Sequence, residues 1–167
     1  MSLVELSIEE PGWMAVDLQA LVEPAATAAL EVVDLDPARF EISILGCDDD
    51  RIAALNGAFR GKAAPTNVLS WPAFDLAPAI PGASPKSPPM RDGMSRLALG
   101  DVAIALQTTS IEAKNCAIPL KNHVIHLILH GCLHLLGFDH ETEADAYLME
   151  GLEVEALDKL GIDNPYR

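Results

Sequence analysis

The sequence predicts a single α+β domain, close to the α/β class, in which a small mixed sheet of four strands packs against about five helices. Its 167 residues are a usual length for one domain, expected to span residues 1–167. Four short segments show the alternation or apolar run of strands: 2–8, 39–46, 67–71 and 97–106. Helical patterns occupy 15–33, 51–60, 108–116, 119–136 and 143–160.

The first two helices have distinct sequence signals. The segment 15–33 is rich in Ala, Leu, Val and Glu, and Pro24 is expected to interrupt or kink it. Before the second helix, Asp48, Asp49 and Asp50 stand where an N-cap and first turn favour negative charge. Helix capping therefore accounts for this acidic triplet without a metal ion.

Proline dominates the segment from Pro72 to Pro89, which holds six of the 12 prolines together with Gly82, Ser84 and Ser87. Such a composition excludes regular structure and predicts an exposed, mobile loop. We do not expect a domain boundary here, because neither side of the segment has the elements of a complete domain.

Composition excludes several classes of protein. Half of the residues are apolar and the mean hydropathy is +0.20, which supports a buried core and excludes intrinsic disorder. The apolar runs stop well short of the roughly 20 residues of a membrane span. The acidic start lacks the basic region of a secretory signal. Three cysteines without C-x-x-C spacing predict reduced thiols in a cytoplasmic protein: Cys47, Cys116 and Cys132.

The formal charge of −14 is distributed unevenly, with −11 over 1–50, +4 over 51–138 and −7 over 139–167. An acidic protein is not expected to bind nucleic acid through its net charge. The basic middle region is either a local patch that faces a polyanion or scattered solubilising charge. Its members include Arg51, Arg60, Lys62, Arg91, Arg96, Lys114 and Lys121.

All five histidines lie within one 18-residue stretch, which is the strongest chemical signal in the sequence. On a helix, His123, His126, His130 and His134 share one face within an arc of roughly 80°. His130 and His134 are one turn apart and can bind a single ion, while a turn after the helix lets His140 fold back as a third ligand. Three neutral nitrogens suit Zn²⁺, with Ni²⁺, Co²⁺ or Mn²⁺ as substitutes, and leave a coordination position open for catalysis.

The neighbouring residues have weaker interpretations. His126 is favoured as a core residue or a hydrogen-bonding partner of a ligand over a fourth ligand, and His123 as a surface or core residue. Asp139 either orients a ligand imidazole, accepts a proton, or caps the next helix. Cys132 lies on another face of the helix and is expected to pack in the core.

The histidine spacing equals that of the metzincin peptidases, H-E-x-x-H-x-x-G-x-x-H, so the metal helix is zincin-like. In those enzymes the glutamate is the general base. This chain has Gly131 at that position. Peptide hydrolysis is therefore disfavoured.

The segment HGCLHLLGFDH, His130 to His140, resembles the signature of the bacterial YbeY family of metal-dependent endoribonucleases, which act in ribosomal RNA maturation and ribosome quality control. LNGAFRGKAAPTNVLSWP, LGDVAIA and the terminal GIDNPY resemble further family blocks, in the same order. The resemblance covers about residues 39–166. Trp71 and Phe138 replace the usual Phe and Tyr, and the proline-rich stretch at about 73–95 looks like an insertion.

The resemblance implies that His130, His134 and His140 bind zinc, with His134 also counted as catalytic. It implies that Arg60 lies in the cleft and takes part in RNA binding or catalysis. The chemistry of Arg60 agrees with this role, since its planar guanidinium matches a phosphate. Asn56, one turn earlier, is expected to line the same cleft.

The implied activity is hydrolytic cleavage of single-stranded RNA in 16S rRNA processing and ribosome biogenesis, with zinc activating water or acting as a Lewis acid. Water and the RNA 2′-hydroxyl both remain candidate nucleophiles. Ribosomal subunits or ribosomal proteins are the implied partners, in the cytoplasm, with neither DNA nor a membrane involved. Two alternatives stay open: a ribosome assembly factor that binds zinc without catalysis, and a zincin-like metallohydrolase of another substrate.

Overall fold

Four strands form the mixed sheet that the sequence predicts. The structure, a computed structural model, describes residues 2–61 and 63–167, except for the side chains of Phe59 and Arg60. Strand β1 pairs in parallel with β2, β2 in parallel with β4, and β4 antiparallel with β3, which gives the order β1-β2-β4-β3. The strands are β1 (Val4–Ile8), β2 (Phe40–Cys47), β3 (Val68–Pro72) and β4 (Leu97–Ala105).

Six α-helices occur in the described residues, one more than the sequence patterns predict. The additional helix is α1, a five-residue element whose Trp13 is fully buried and donates from its indole nitrogen to the Cys47 carbonyl over 3.0 Å. A 3₁₀ turn at Pro37–Arg39 precedes β2. The helices are α1 (Gly12–Val16), α2 (Leu18–Glu31), α3 (Asp49–Arg60), α4 (Leu106–Asn115), α5 (Leu120–Leu135) and α6 (Glu143–Lys159).

Pro24 does not interrupt α2, contrary to one of the two outcomes expected from the sequence. The helix continues from Leu18 through Glu31. Its small buried face, which includes Ala25, Ala26 and Ala29, packs into the main core. The burial of this face offsets the loss of one backbone hydrogen bond, which Pro24 cannot donate because it has no N–H group.

Helix α5 is the central element of the core and positions the histidines. It contacts α2 on one side and strands β3 and β4 on the other. Five of its large apolar side chains are fully buried: Val124, Ile128, Leu129, Leu133 and Leu135. Because this burial constrains the rotation of the helix, the direction of its histidine stripe is set by core packing.

The proline-rich segment has no helix or strand between β3 and β4, as predicted, but it is not fully exposed. Leu76 is buried, and its carbonyl accepts a hydrogen bond from the Lys86 amide over 2.9 Å. Gly82 donates its amide to Asp145 on α6 over 2.8 Å. The expectation of an exposed excursion is therefore wrong for Leu76, because the composition of the segment does not reveal its contact with the distant turn at Gly137.

No helix among the described residues is long and apolar enough to span a bilayer. The three cysteines are free, with Cys47 and Cys132 buried and Cys116 exposed. Burial raises the pKa of both buried thiols to about 12.

Asp48 caps α3, as the acidic triplet predicts, since its carboxylate accepts a hydrogen bond from the Arg51 amide over 2.7 Å. We expect Asp48→Ala to lower the free energy of unfolding by about 1 kcal/mol, because the amide loses its partner. Asp50→Ala is the matched control: it removes a charge from the same turn, and we expect a loss of only a few tenths of a kcal/mol. Urea unfolding measures both variants, and equal losses would contradict the capping role.

Candidate metal centre

Three histidines predicted to act together are close to one another in the structure. His130 and His134 lie one turn apart on α5, and the chain turns at Gly137, with φ +98°, to bring His140 beside them. Their ring centroids are 4.5 to 5.4 Å apart. One nitrogen of each ring lies within 4.8 Å of the other two, so the three nitrogens can bind one metal ion.

Hydrogen bonds orient two of these rings. The Nδ1 atom of His134 lies 2.9 Å from the Phe138 carbonyl, and Nδ1 of His130 lies 2.9 Å from the Glu153 carboxylate. Both partners are acceptors, so each Nδ1 carries a proton and donates. A ring that is protonated only at Nδ1 leaves its Nε2 free to bind a metal ion.

The two Nε2 atoms are only 3.0 Å apart. Two nitrogen lone pairs repel at this distance unless a cation lies between them. The separation is close to the roughly 3.3 Å between two nitrogen ligands of a tetrahedral Zn²⁺ ion. The donor set and its tautomers thus fit a metal ion.

A proton is a poor substitute for that cation. The pKa of His134 is lowered to about 4, mainly by burial and in smaller part by electrostatic repulsion from His130. A proton on His134 is therefore disfavoured at neutral pH.

Glu153 on α6 lies behind His130 and was not identified from the sequence. Its side chain is 1% exposed and accepts three hydrogen bonds. His130 Nδ1 is at 2.9 Å, His126 Nε2 at 2.5 Å and the Tyr166 hydroxyl at 2.6 Å. Burial raises the pKa of this carboxyl group, but hydrogen bonds from His126 and His130 outweigh it and bring the pKa down to about 2. The carboxylate is charged and makes His130 a stronger metal ligand.

A sequence signal for Glu153 does exist. Met149, Ala156 and Leu157 are buried on the same helix, and Glu153 falls at helical spacing from all three. A carboxylate on an apolar stripe is buried only when it is paired. The sequence does not reveal its partners, because they lie on α5 and near the end of the chain.

The other histidines lie outside the trio. His126 is held by Glu153, which agrees with the interpretation as a partner of the site over that of a fourth ligand. His123 contacts Glu112 over 2.8 Å, and Glu112 in turn accepts from Asn67. His123 lies on α5 with the candidate ligands, whereas Glu112 lies on α4.

Asp139 does not cap α6. Thr142 is the N-cap of that helix and accepts from the Asp145 amide over 3.1 Å. The Asp139 carboxylate instead accepts from the His140 amide over 2.7 Å. Asp139 therefore stabilises the turn that presents His140.

Gly131 faces the sheet, which explains why a glutamate base is absent. A Cβ atom at this position would lie 3.0 Å from Val102 on β4 and 3.2 Å from the Ser70 hydroxyl on β3. Ser70 donates to the Gly131 carbonyl over 3.1 Å. A larger side chain at position 131 would separate α5 from the sheet.

The histidine trio opens onto a cavity of about 1200 Å³. Asn56 lines the cavity, as expected, and donates to the Ala64 carbonyl over 3.0 Å. Arg60 is the last residue of α3, and its side chain lies outside the described residues. Its role in the cleft stays a prediction.

Comparison with known proteins identifies a matching family. The profile of the family described as Endoribonuclease YbeY matches residues 7–161. The chain belongs to the YbeY endoribonuclease family. The family match begins well before residue 39, where the resemblance of the sequence motifs starts.

Relatives of the YbeY family cover nearly the whole chain. A protein named Endoribonuclease YbeY from Dinoroseobacter shibae is 57% identical, over 98% of this chain and 90% of its own length. The protein of the same name from Jannaschia sp. is 52% identical, over 98% of this chain and 99% of its own length. The solution structure of TM1509 from Thermotoga maritima has a TM-score of 0.55 at 18% identity, covers 95% of this chain and 91% of its own, and supports the fold.

In this YbeY-family chain, a substitution at Gly137 tests how the turn before His140 contributes to stability. A Cβ here would lie 2.6 Å from the Leu76 carbonyl oxygen, in addition to the strain of a positive φ. We expect Gly137→Ala to lower the free energy of unfolding by more than the ~1–2 kcal/mol of left-handed strain alone. Gly161→Ala is the matched control, because Gly161 has φ +74° and open space around it. Urea unfolding compares them, and equal losses would show that the Leu76 contact adds nothing.

Proposed function

We propose that this protein is a zinc-dependent endoribonuclease that cleaves single-stranded RNA, with residues 1–167 as one catalytic domain and the stretch at about 73–95 as an insertion. The observation that carries the proposal is the close approach of the Nε2 atoms of His130 and His134, which lie 3.0 Å apart and beside His140. These three histidines are the proposed metal ligands. Membership of a family described as endoribonucleases supports RNA as the substrate.

Each residue of the proposed site has a separate task. Bound Zn²⁺ would polarise a phosphoryl oxygen and lower the pKa of bound water toward about 7. Glu153 holds the His130 ring, and the Phe138 carbonyl holds the His134 ring, so that both Nε2 atoms face the same point. Arg60 is proposed to bind the phosphate and stabilise the charge that develops on it.

Zinc is the proposed metal because the donors are three neutral nitrogens of borderline softness. An ion that prefers oxygen ligands, such as Mg²⁺ or Ca²⁺, would not favour three imidazoles. Ni²⁺, Co²⁺ and Mn²⁺ remain substitutes that the same geometry can bind.

The proposed substrate is ribosomal RNA, cut during 16S rRNA maturation and ribosome quality control in the cytoplasm. Relatives at 52–57% identity carry the name Endoribonuclease YbeY, and the sequence blocks from Leu55 to Pro72 and from His130 to His140 resemble that family. Ribosomal subunits or ribosomal proteins are the proposed partners. DNA is not an expected substrate.

A cleavage assay tests the proposal directly. A labelled single-stranded fragment of ribosomal RNA is incubated with zinc-loaded wild-type protein, Arg60→Ala and Arg51→Ala. We expect Arg60→Ala to cut about 100-fold more slowly, the usual effect of removing one group that stabilises transition-state charge. Arg51→Ala serves as the control, because Arg51 lies at the other end of α3 and pairs with Glu9 over 3.2 Å.

The alternatives predict other outcomes of the same assay. Stoichiometric zinc without any cleavage above the zinc-free protein would contradict the nuclease and favour a ribosome assembly factor. Product ends distinguish the nucleophiles: only 2′,3′-cyclic phosphate ends would identify the RNA 2′-hydroxyl as the attacking group.

A further inference from the structure

One part of the cavity wall comes from the proline-rich segment. The cavity that exposes His130 and His134 is also lined by Phe74, Leu76 and Pro78. Phe74 is half-buried and packs against the main core, so its ring is supported from behind. We call the cavity-lining residues that follow β3 in this segment the Phe74 wall: Phe74, Leu76, Ala77, Pro78, Pro81, Ala83 and Pro85.

Contacts on both sides fix the Phe74 wall relative to the metal centre. Leu76 is 5% exposed and lies against the turn at Gly137, where no Cβ can be placed without meeting it. Farther along, the Gly82 amide donates to Asp145 over 2.8 Å, in the first turn of α6. The Gly137 turn and α6 flank His140. The wall is therefore joined to the same backbone that presents a candidate ligand.

The chemistry of the wall is apolar and uncharged. Its side chains are those of Phe, Leu, Ala and Pro, and no Lys or Arg is found among the cavity-lining residues that the structure describes. The nearby charged groups lining the cavity are carboxylates, on Asp139, Glu141 and Asp145. Such a surface does not attract phosphates, which bind to cationic and N–H groups.

An unpaired nucleobase fits this surface. Bases splayed out of a single strand stack on aromatic rings and other apolar side chains, and such stacking tolerates any sequence. The volume of about 1200 Å³ exceeds the roughly 300–1,000 Å³ of common small-molecule sites, so the cavity has room for more than the reacting phosphate.

We propose that the Phe74 wall is a subsite for one unpaired base of the RNA strand, next to the phosphodiester at the metal centre. This inference rests on the proposed function. It assigns base contact to the Phe74 wall, whereas phosphate contact is assigned to the metal centre and Arg60. The wall thereby contributes to selection of single strands, because a base within a duplex is not available for stacking.

Abasic substrates test the subsite. A single-stranded RNA with one defined cleavage site is prepared intact and with a single abasic nucleotide at each position around that site. For the wild-type protein, we expect one abasic position to lower kcat/KM by about 5- to 150-fold, the range for losing one stacked base. Phe74→Leu keeps an apolar side chain against the core but removes the ring. We expect this variant to have a lower kcat/KM on intact RNA and an unchanged zinc content. We also expect its kcat/KM to differ much less between intact and abasic RNA than that of the wild type.

Ile80→Ala is the matched control, since Ile80 is on the same segment, 66% exposed, and not among the cavity-lining residues. We expect it to behave as wild type on both substrates. Equal cleavage of all abasic and intact RNAs by the wild-type protein would overturn the subsite, as would an abasic penalty that Phe74→Leu leaves unchanged.

Binding separates this inference from the proposed function. Fluorescence anisotropy with the same oligonucleotides, built on 2′-O-methyl riboses, measures the contribution of each base without cleavage. Weaker binding at one abasic position in the wild-type protein, absent in Phe74→Leu, supports the subsite even if no RNA is cut. Equal binding of intact and abasic strands overturns it.

Discussion

Replacing His134 with alanine is expected to remove metal binding and RNA cleavage together. His134 supplies one of the two Nε2 atoms that lie 3.0 Å apart, and the remaining His130 and His140 leave too few ligands for a stable site. We expect metal affinity to fall by more than roughly 100-fold, beyond the 10- to 100-fold effect of residues that only support ligands. Competition with a chelator measures the affinity, and a labelled single-stranded RNA measures the cleavage.

His123→Ala is the matched control for His134→Ala. Both histidines lie on α5, but His123 contacts Glu112 and is outside the trio. We expect this variant to bind one metal ion and to cut RNA as the wild type does. Retention of one bound metal ion by His134→Ala would contradict the assignment of the ligands.

Thermal unfolding with and without a chelator tests metal binding in His134→Ala and His123→Ala independently of cleavage. An ion that binds only the folded state stabilises it, by about 2.7 kcal/mol when its concentration is 100 times Kd. A chelator should therefore lower the Tm of the wild type and of His123→Ala, but leave the Tm of His134→Ala unchanged.

Glu153→Gln is expected to weaken metal binding by about 10- to 100-fold, although Glu153 touches no metal. The amide keeps the size of the side chain but removes the charge behind His130, and its NH₂ group cannot accept from His126, His130 or Tyr166. Saturating zinc should restore much of the cleavage, because the ligands themselves remain. The absorption spectrum of the Co²⁺-substituted protein should change, since the orientation of His130 changes.

Two further variants distinguish the effect of Glu153 on the orientation of His130 from its effect on the stability of the fold. Glu153→Ala leaves buried donors without partners and should also lower the free energy of unfolding, by about 1–3 kcal/mol. Glu155→Gln is the control on the same helix, because Glu155 is exposed and pairs with Lys159 on the surface. Unchanged zinc affinity in Glu153→Gln would show that the carboxylate has only a structural role.

The strands could be predicted because their signal is local. Residues of β2 alternate between the core and solvent, and the predicted segment 39–46 differs from Phe40–Cys47 by one residue at each end. Helix α1 was not predicted as a separate element, since five residues contain too little periodicity. Asp17 separates α1 from α2 with φ +60°, a conformation that no sequence pattern indicated.

In the candidate site, contacts within one helix could also be predicted from the sequence, whereas contacts between helices could not. His130 and His134 could be predicted together because one helical turn brings them together in any protein. Glu153 is 23 residues from His130, so its hydrogen bond depends on how α5 packs against α6. The role of Arg60 remains a prediction.

The sequence by itself determined the four strands, the five longer helices and the histidine spacing of this YbeY-family chain, because these follow from contacts within a few residues. The tertiary structure decided which residues complete the site. It placed the Glu153 carboxylate behind His130, turned Gly131 toward the sheet and brought the proline-rich segment to the cavity wall. Each of these contacts joins elements far apart in the chain, and the packing of the whole core determines where they meet.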